Sequence, residues 1–234
     1  MMPRSHTLAR ATAWAVLCGF AIAPQVANAA CADAPRSGVD WTKCEKRRLI
    51  LRDSDLVKGR FAGADFGRSD LFGARLVEAD LTDASIDHAG LRTADLSRAK
   101  MSGVNGYRAD FTGAKLVGAD LGKAEMARAI LRWADLSDAN LAKAELQRAV
   151  LQGAQMARTN LAGADLARAH LGDGSLPGAN LTDADMYLTR VEGVDLSGVT
   201  GLSQRQIDAA CGNASTKLPA GLSQPASWPC RHFE

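Results

Sequence analysis

The chain has 234 residues, 28 Lys+Arg against 26 Asp+Glu, and a formal charge of +2 at neutral pH. A balance so close to zero supplies no bulk attraction to nucleic acid or to an anionic membrane surface. From residue 30 onward no segment approaches eighteen uncharged apolar residues, which excludes a membrane-spanning helix from that part of the chain.

The N-terminus has a character of its own. Arg4, His6 and Arg10 form a basic start, and an apolar run over 11–23 contains Trp14, Val16, Leu17, Phe20 and Ile22. Pro24 follows, then Ala27-Asn28-Ala29, an A-x-A cleavage signature. This order predicts a secretory signal peptide over 1–29, a mature chain beginning at Ala30, and a periplasmic or extracellular location. Lipidation of Cys31 is the alternative, although Asn28 stands where a lipoprotein signal normally has a bulky aliphatic residue. Loss of Arg4 and Arg10 brings the mature charge to near zero.

The periodic part starts at Leu49. From there to Gly198 the chain divides into thirty consecutive blocks of five residues without an insertion or deletion. The middle position is apolar in twenty-nine of them, Gly106 being the exception, and the position two earlier is Ala in twenty-one. Between them stands a mainly polar residue, often Asp or Asn, as in Ala94-Asp95-Leu96 and Ala139-Asn140-Leu141. A period of five keeps residues on one face of neither an α-helix nor a coiled coil. It suits a coil that changes direction once per block, with the large and the small residue inward, because a narrow coil cannot hold two bulky side chains per side at interior density.

This tandem A-(D/N)-L-x-x pattern resembles the pentapeptide-repeat family over 150 of the 234 residues. The resemblance implies an all-β fold, a right-handed quadrilateral β-helix with four blocks per coil. Seven and a half coils at a strand spacing of about 4.8 Å would make a rod roughly 36 Å long. The flanks resemble those of exported family members: Cys31 through Gly38-Val39-Asp40-Trp41 to Cys44, and Gly201-Leu202-Ser203-Gln204 through Cys211 to Cys230.

The organisation expected is therefore a signal peptide (1–29), an N-terminal cap (30–48), the solenoid (49–198) and a C-terminal cap (199–234). Open solenoid ends invite edge pairing, and caps prevent it. Val39 and Trp41 are the apolar residues available to cover Leu49 and Leu51. Ser203 and Gln206 have capping-box spacing, which predicts a short helix from about Gln204 to Cys211, stopped by Gly212 and packed with Trp228. The four mature cysteines lie outside the repeats, two at each end, so local pairs Cys31–Cys44 and Cys211–Cys230 are favoured over long-range ones. No close Cys or His pair points to a metal.

With four blocks per coil, residues twenty apart stack in axial columns. One column is Arg68, His88, Arg108, Arg128, Arg148 and Arg168, a basic stripe for an anionic partner. It runs beside Asp65, Ser85, Asn105, Glu125, Glu145, Asp165 and Asp185, which offer neutralisation as the competing reading. Asp55, Arg75, Asp95, Lys115 and Asp135 alternate in sign, and Asn140, Asn160 and Asn180 suggest an amide ladder. Ile130, Trp133 and Val150 face outward on one side, a patch suited to a partner or to a homodimer contact. Gly106 leaves either a dent beside Tyr107 or a gap filled by Val104 and Met126.

Catalytic chemistry is not indicated. After the signal peptide the only histidines are His88, His170 and His232, and no nucleophile–base motif, metal-ligand cluster or phosphate loop accompanies them. No catalytic residue and no cofactor is expected. The leading function is an exported binding or scaffold module for a protein or envelope polymer. A carbohydrate-cleaving β-helix is a further alternative. The resemblance also implies a DNA-mimic role toward gyrase, but that needs an acidic cytoplasmic rod. Repeats 49–198 hold 18 Lys+Arg and 21 Asp+Glu, behind an export signal.

Overall fold

Each full block offers up to five backbone N–H groups that need acceptors or solvent, and the block 79–83 shows how all five can be held within the chain. In this computed structural model, which describes residues 29–230, the Ala79 N–H closes a turn on the Leu76 carbonyl at 3.0 Å. Asp80 donates to Gly59 in the preceding coil at 2.9 Å, while Leu81 and Asp83 donate to Lys100 and Ser102 in the following coil at 2.7 and 3.0 Å. The fifth donor, Thr82 N–H, is taken by the Asp80 carboxylate at 3.1 Å. This side-chain turn recurs wherever Asp or Asn holds the position, as at Asp95, Asp110, Asn140 and Asn180. The preference for Asp and Asn before the central residue thus serves the backbone, by accepting an N–H that the ladder leaves over.

Parallel bridges link residues twenty apart, from Asp40–Arg60 to Asn180–Thr200. Each is a single bridged residue, so the all-β character lies in a ladder of isolated bridges and not in extended strands, because the chain turns a corner after every pairing. Four blocks complete a coil, and the rod has four faces. The ladder begins at Asp40, before the periodic sequence does, and takes in Cys211 and Lys217 after it ends.

The corners are turns whose third residue has positive φ. Thirty-two such turns follow one another from Gly38 to Gly193, and twenty-two place a residue other than glycine there. Left-handed backbone costs an L-residue about 1–2 kcal/mol, held here by the ladder bond of that residue's N–H. The consequence is that corners carry exposed side chains in axial lines. Inside, the alanines and leucines pack in columns, with Ala129, Leu131, Ala139 and Leu141 fully buried. At Gly106 the gap is closed: Met126 and Ile86 lie 3.4 and 3.7 Å from where a Cβ would stand, so no dent forms.

Both ends are stapled. Cys31, within a single 3₁₀ turn at Ala29–Ala32, is bonded to Cys44, with Cα atoms 5.6 Å apart. Trp41 does not cover Leu49. It stacks beneath Phe61, one coil away, with ring centroids 5.7 Å apart, and 6.2 Å from Phe66. Leu49 consequently stays 37% exposed, and Ile50, in the outward column beside Asp70, is 81% exposed. Lys46 occupies an inward position, its ammonium 3.9 Å from the Trp41 ring centre and 2.6 Å from the Cys31 carbonyl. Burial pushes the pKa of this amine below its ordinary value.

At the other end α1 (Gln204–Ala209) opens with a capping box between Ser203 and Gln206. The Gln206 amide donates to the Leu181 and Ala184 carbonyls at 2.8 and 3.0 Å, and Ile207 is fully buried. The helix stops two residues earlier than the sequence predicts, because Cys211 leaves it to bridge Arg190. Cys211 is bonded to Cys230, and the Trp228 indole donates to the Ala210 carbonyl at 2.8 Å. Apart from Ala29, the expected export segment lies outside the described residues, as do Cys18 and His232. Among the described residues no helix is long and apolar enough to cross a membrane.

Asp195 ties the C-terminal cap to the rod. Its carboxylate accepts from the Ser197 hydroxyl and N–H and from Lys217 at 2.9 Å, and these bonds hold its pKa at about 2, below the ordinary 3.8. A depressed folded pKa gives stability that is present above 3.8 and lost as pH falls through about 2. The melting-temperature difference between wild type and Asp195→Asn should therefore shrink as pH falls across that window.

Candidate ligand-binding face

The corner that follows the Phe66 column is the most uniformly charged line on the rod. Arg68, His88, Arg108, Arg128, Arg148 and Arg168 each occupy the positive-φ position there, one per coil, and Arg48 extends the line by one coil toward the N-terminus. Arg48 escaped the sequence reading because it precedes the periodic blocks.

The neighbouring acidic column does not neutralise this line. Asp65 pairs with Arg47 at 2.7 Å, and Asp165 accepts from Gln147 at 2.6 Å. Among the described residues, no guanidinium of Arg48, Arg68, Arg108, Arg128, Arg148 or Arg168 lies within ion-pair distance of a carboxylate. Arg108 rests 5.3 Å from the Tyr107 ring centre, and His88 contacts Asp87 at 3.1 Å. Other lines behave differently. Glu78 pairs with both Lys58 and Arg98, and Asp138 with Arg158 at 2.6 Å, all at the matching position of another corner. The amide ladder closes as well, with Asn160 donating to Asn140 at 3.0 Å and Asn180 to Asn160 at 3.3 Å.

The face beyond the arginine corner carries the apolar patch. Its outward column runs Asp110, Ile130, Val150, His170 and Arg190, joined bridge to bridge. Ile130, Val150 and His170 are partly exposed between the arginine line on one edge and Arg132 and Trp133 on the other. Trp133 is 65% exposed, its indole packed against Gly153, where a Cβ would come within 2.5 Å of the ring. The two features separated in the sequence analysis thus share one face.

The blocks of this face at Ile130, Val150, His170 and Arg190 lack Asp or Asn at the turn-closing position, as does the one at Gly90 lower down. The N–H groups of Arg132, Gln152 and Gly172 accordingly have no acceptor among the described residues, whereas those of Phe72 and Thr112 lower on the face are held by Asp70 and Asp110. Burial, with Arg190 close by, keeps the His170 imidazole below its ordinary pKa. Arg190 itself is engaged by Glu192 at 3.1 Å. Among the described residues no group of His, Cys, Asp and Glu is placed to hold a metal ion.

Comparison with known proteins decides the family. A model described as pentapeptide repeats, in eight copies, matches residues 50–87, 89–127, 129–168 and 159–198. The chain belongs to the pentapeptide-repeat family. Family members form right-handed quadrilateral β-helices, in agreement with the four-sided ladder seen here. The chain is similar to the crystal structure of HetL, a pentapeptide repeat protein involved in heterocyst differentiation regulation from the cyanobacterium Nostoc sp. strain PCC 7120. The TM-score is 0.62 at 27% identity, over 79% of this chain and 85% of that one. A pentapeptide repeat protein from the Arabidopsis thaliana thylakoid lumen matches at 26% identity and TM-score 0.35, over 46% and 70% of the two chains. Trypsin-treated QnrB1, a plasmid-mediated fluoroquinolone resistance protein, matches at 19% identity and TM-score 0.39, over 79% and 88%. No curated protein matches the sequence.

Proposed function

We propose that this pentapeptide-repeat chain is an exported, non-catalytic rod that binds a partner outside the cytoplasm. Cleavage after Ala29 would leave two caps, 30–48 and 199–234, around the repeats. The observation that carries the reading is the disulfide at each end, Cys31–Cys44 and Cys211–Cys230, since such bonds persist in oxidising compartments. The apolar run and A-x-A site before Ala30 support the same compartment. The distribution of polar groups favours binding over catalysis. His88 bonds only to Asp87, and neither it nor His170 is hydrogen-bonded to a Ser, Thr or Cys among the described residues.

A DNA-mimic reading draws no support from the surface. The repeats carry 18 Lys+Arg against 21 Asp+Glu, and one corner presents Arg68, Arg108, Arg128, Arg148 and Arg168 in line.

Intact mass of the protein from its native host, before and after reduction and thiol alkylation, tests the proposal. A chain starting at Ala30 with its four thiols blocked until reduction is the expected result. A full-length chain with free thiols would overturn it and return the protein to the cytoplasm. A lipid mass on Cys31 would make the rod a membrane-anchored one, with Cys44 unpaired.

A further inference from the structure

We propose that the face between Arg128 and Asp173 binds an acidic polysaccharide, a partner class that rests on the exported, non-catalytic reading above. Three observations on this face converge. Arg128, Arg148 and Arg168 stand free of carboxylates in successive coils, spanning about 10 Å along the rod at the ladder spacing. Beside them, Ile130, Val150 and Trp133 offer an apolar row ending in an open indole. Across the face, the N–H groups of Arg132, Gln152 and Gly172 point to no acceptor within the described chain.

This combination selects the ligand by shape. Guanidinium groups match carboxylate or sulfate oxygens as forked donors. Unpaired N–H groups call for hydroxyl or carboxylate acceptors on the same molecule. The apolar row and the indole suit the C–H faces of sugar rings, which have a greasy face and a polar rim. A broad anionic surface fits less well. The acidic column of Glu125, Glu145 and Asp165 lines the far side of the arginine corner and would repel a bilayer or a DNA duplex laid across it. A single-file chain avoids that column.

Lower on the same face, Asp70 and Asp110 occupy the outward column and accept from the N–H groups that remain open above. Both carboxylates are also paired with arginines, Asp70 with Arg52 at 2.5 Å and Asp110 with Arg92 at 4.0 Å, so that half presents closed ion pairs and the site is confined to the coils from Arg128 upward.

The test is binding of the mature, disulfide-bonded chain to immobilised polygalacturonate at low ionic strength, with dextran as the neutral control. Arg128→Glu with Arg148→Glu should weaken binding by about tenfold or more. Lys123→Glu with Lys143→Glu makes the same charge change at another corner and should alter it by no more than about twofold. Trp133→Ala should weaken binding while leaving the salt dependence unchanged. Glu78 already occupies the equivalent turn position at φ 57°, so the reversals suit the backbone, and unchanged melting would verify that.

Absence of wild-type retention would overturn the proposal. Equal loss in both charge-reversal pairs would do the same, as would equally tight binding to duplex DNA or to phosphatidylglycerol vesicles. Self-association abolished by Trp133→Ala, with no polysaccharide retained, would reassign the face to a homodimer. None of these outcomes bears on the cleavage site or the thiols, so the exported-rod reading stands or falls separately.

Discussion

Replacing Trp41 with alanine should cost about 4 kcal/mol and unravel the first coil ahead of the rest. The indole is 1% exposed, packs against Phe61 and Phe66, and donates to the Asp33 carbonyl at 3.2 Å. It is also the surface on which the Lys46 ammonium rests. Its loss leaves a cavity and strips a half-sequestered cation of its aromatic cover. Hydrogen exchange should show amides from Trp41 to Phe66 opening early, while those near Leu161 keep wild-type protection. Uniform acceleration along the chain would mean that the end coil is not a separate unit.

Leu141→Ala should have an effect of similar size but of a different kind. Leu141 is fully buried midway along its column, between Leu121 and Leu161. Truncation there removes about 3 kcal/mol. Coupling in a solenoid runs only between neighbouring coils, so a void at this position weakens communication between the two halves. Guanidinium unfolding should broaden or split in two for Leu141→Ala. The same change at Leu196, next to the C-terminal cap, should shift one transition without dividing it. A single sharp transition for both would show cooperativity reaching further than adjacent coils.

Much of the rod could be read from its residues, and the reason is physical. Alternation of Ala and Leu at a period of five admits few solutions, and the inward columns follow from it. Less accessible was why Asp or Asn recurs. Asp80 looks like surface charge until the Thr82 N–H is seen to have no other acceptor. That same acceptor is missing at Ile130, Val150 and His170, as it is in the other blocks without Asp or Asn, and on the candidate face the open N–H groups lie beside free arginines and apolar side chains.

The ends were harder. Lys46 precedes the periodic blocks and carries a charge at an inward position, so nothing in the period shows that its side chain is buried with its head on the Cys31 carbonyl. Trp41 lies close in sequence to Leu49, but stacking at twenty places it under Phe61 instead. Column registry overrides sequence proximity. For the arginine corner, spacing revealed the line but not its freedom from carboxylates. That depends on rotamers which send Asp65 to Arg47 and Asp165 to Gln147.

The placement of the two disulfides has a mechanical consequence. Each closes a loop within its own end, Cys31 to Cys44 and Cys211 to Cys230, and neither links one coil of the body to the next. Tension applied at the termini therefore meets no covalent link between coils, only the backbone ladder, the packed core and side-chain pairs such as Glu78–Arg98. Each coil that peels away frees twenty residues, about 70 Å of contour, in exchange for about 5 Å of rod. The molecule would pay out length in steps, more than tenfold beyond its resting span, while its knotted ends stayed intact.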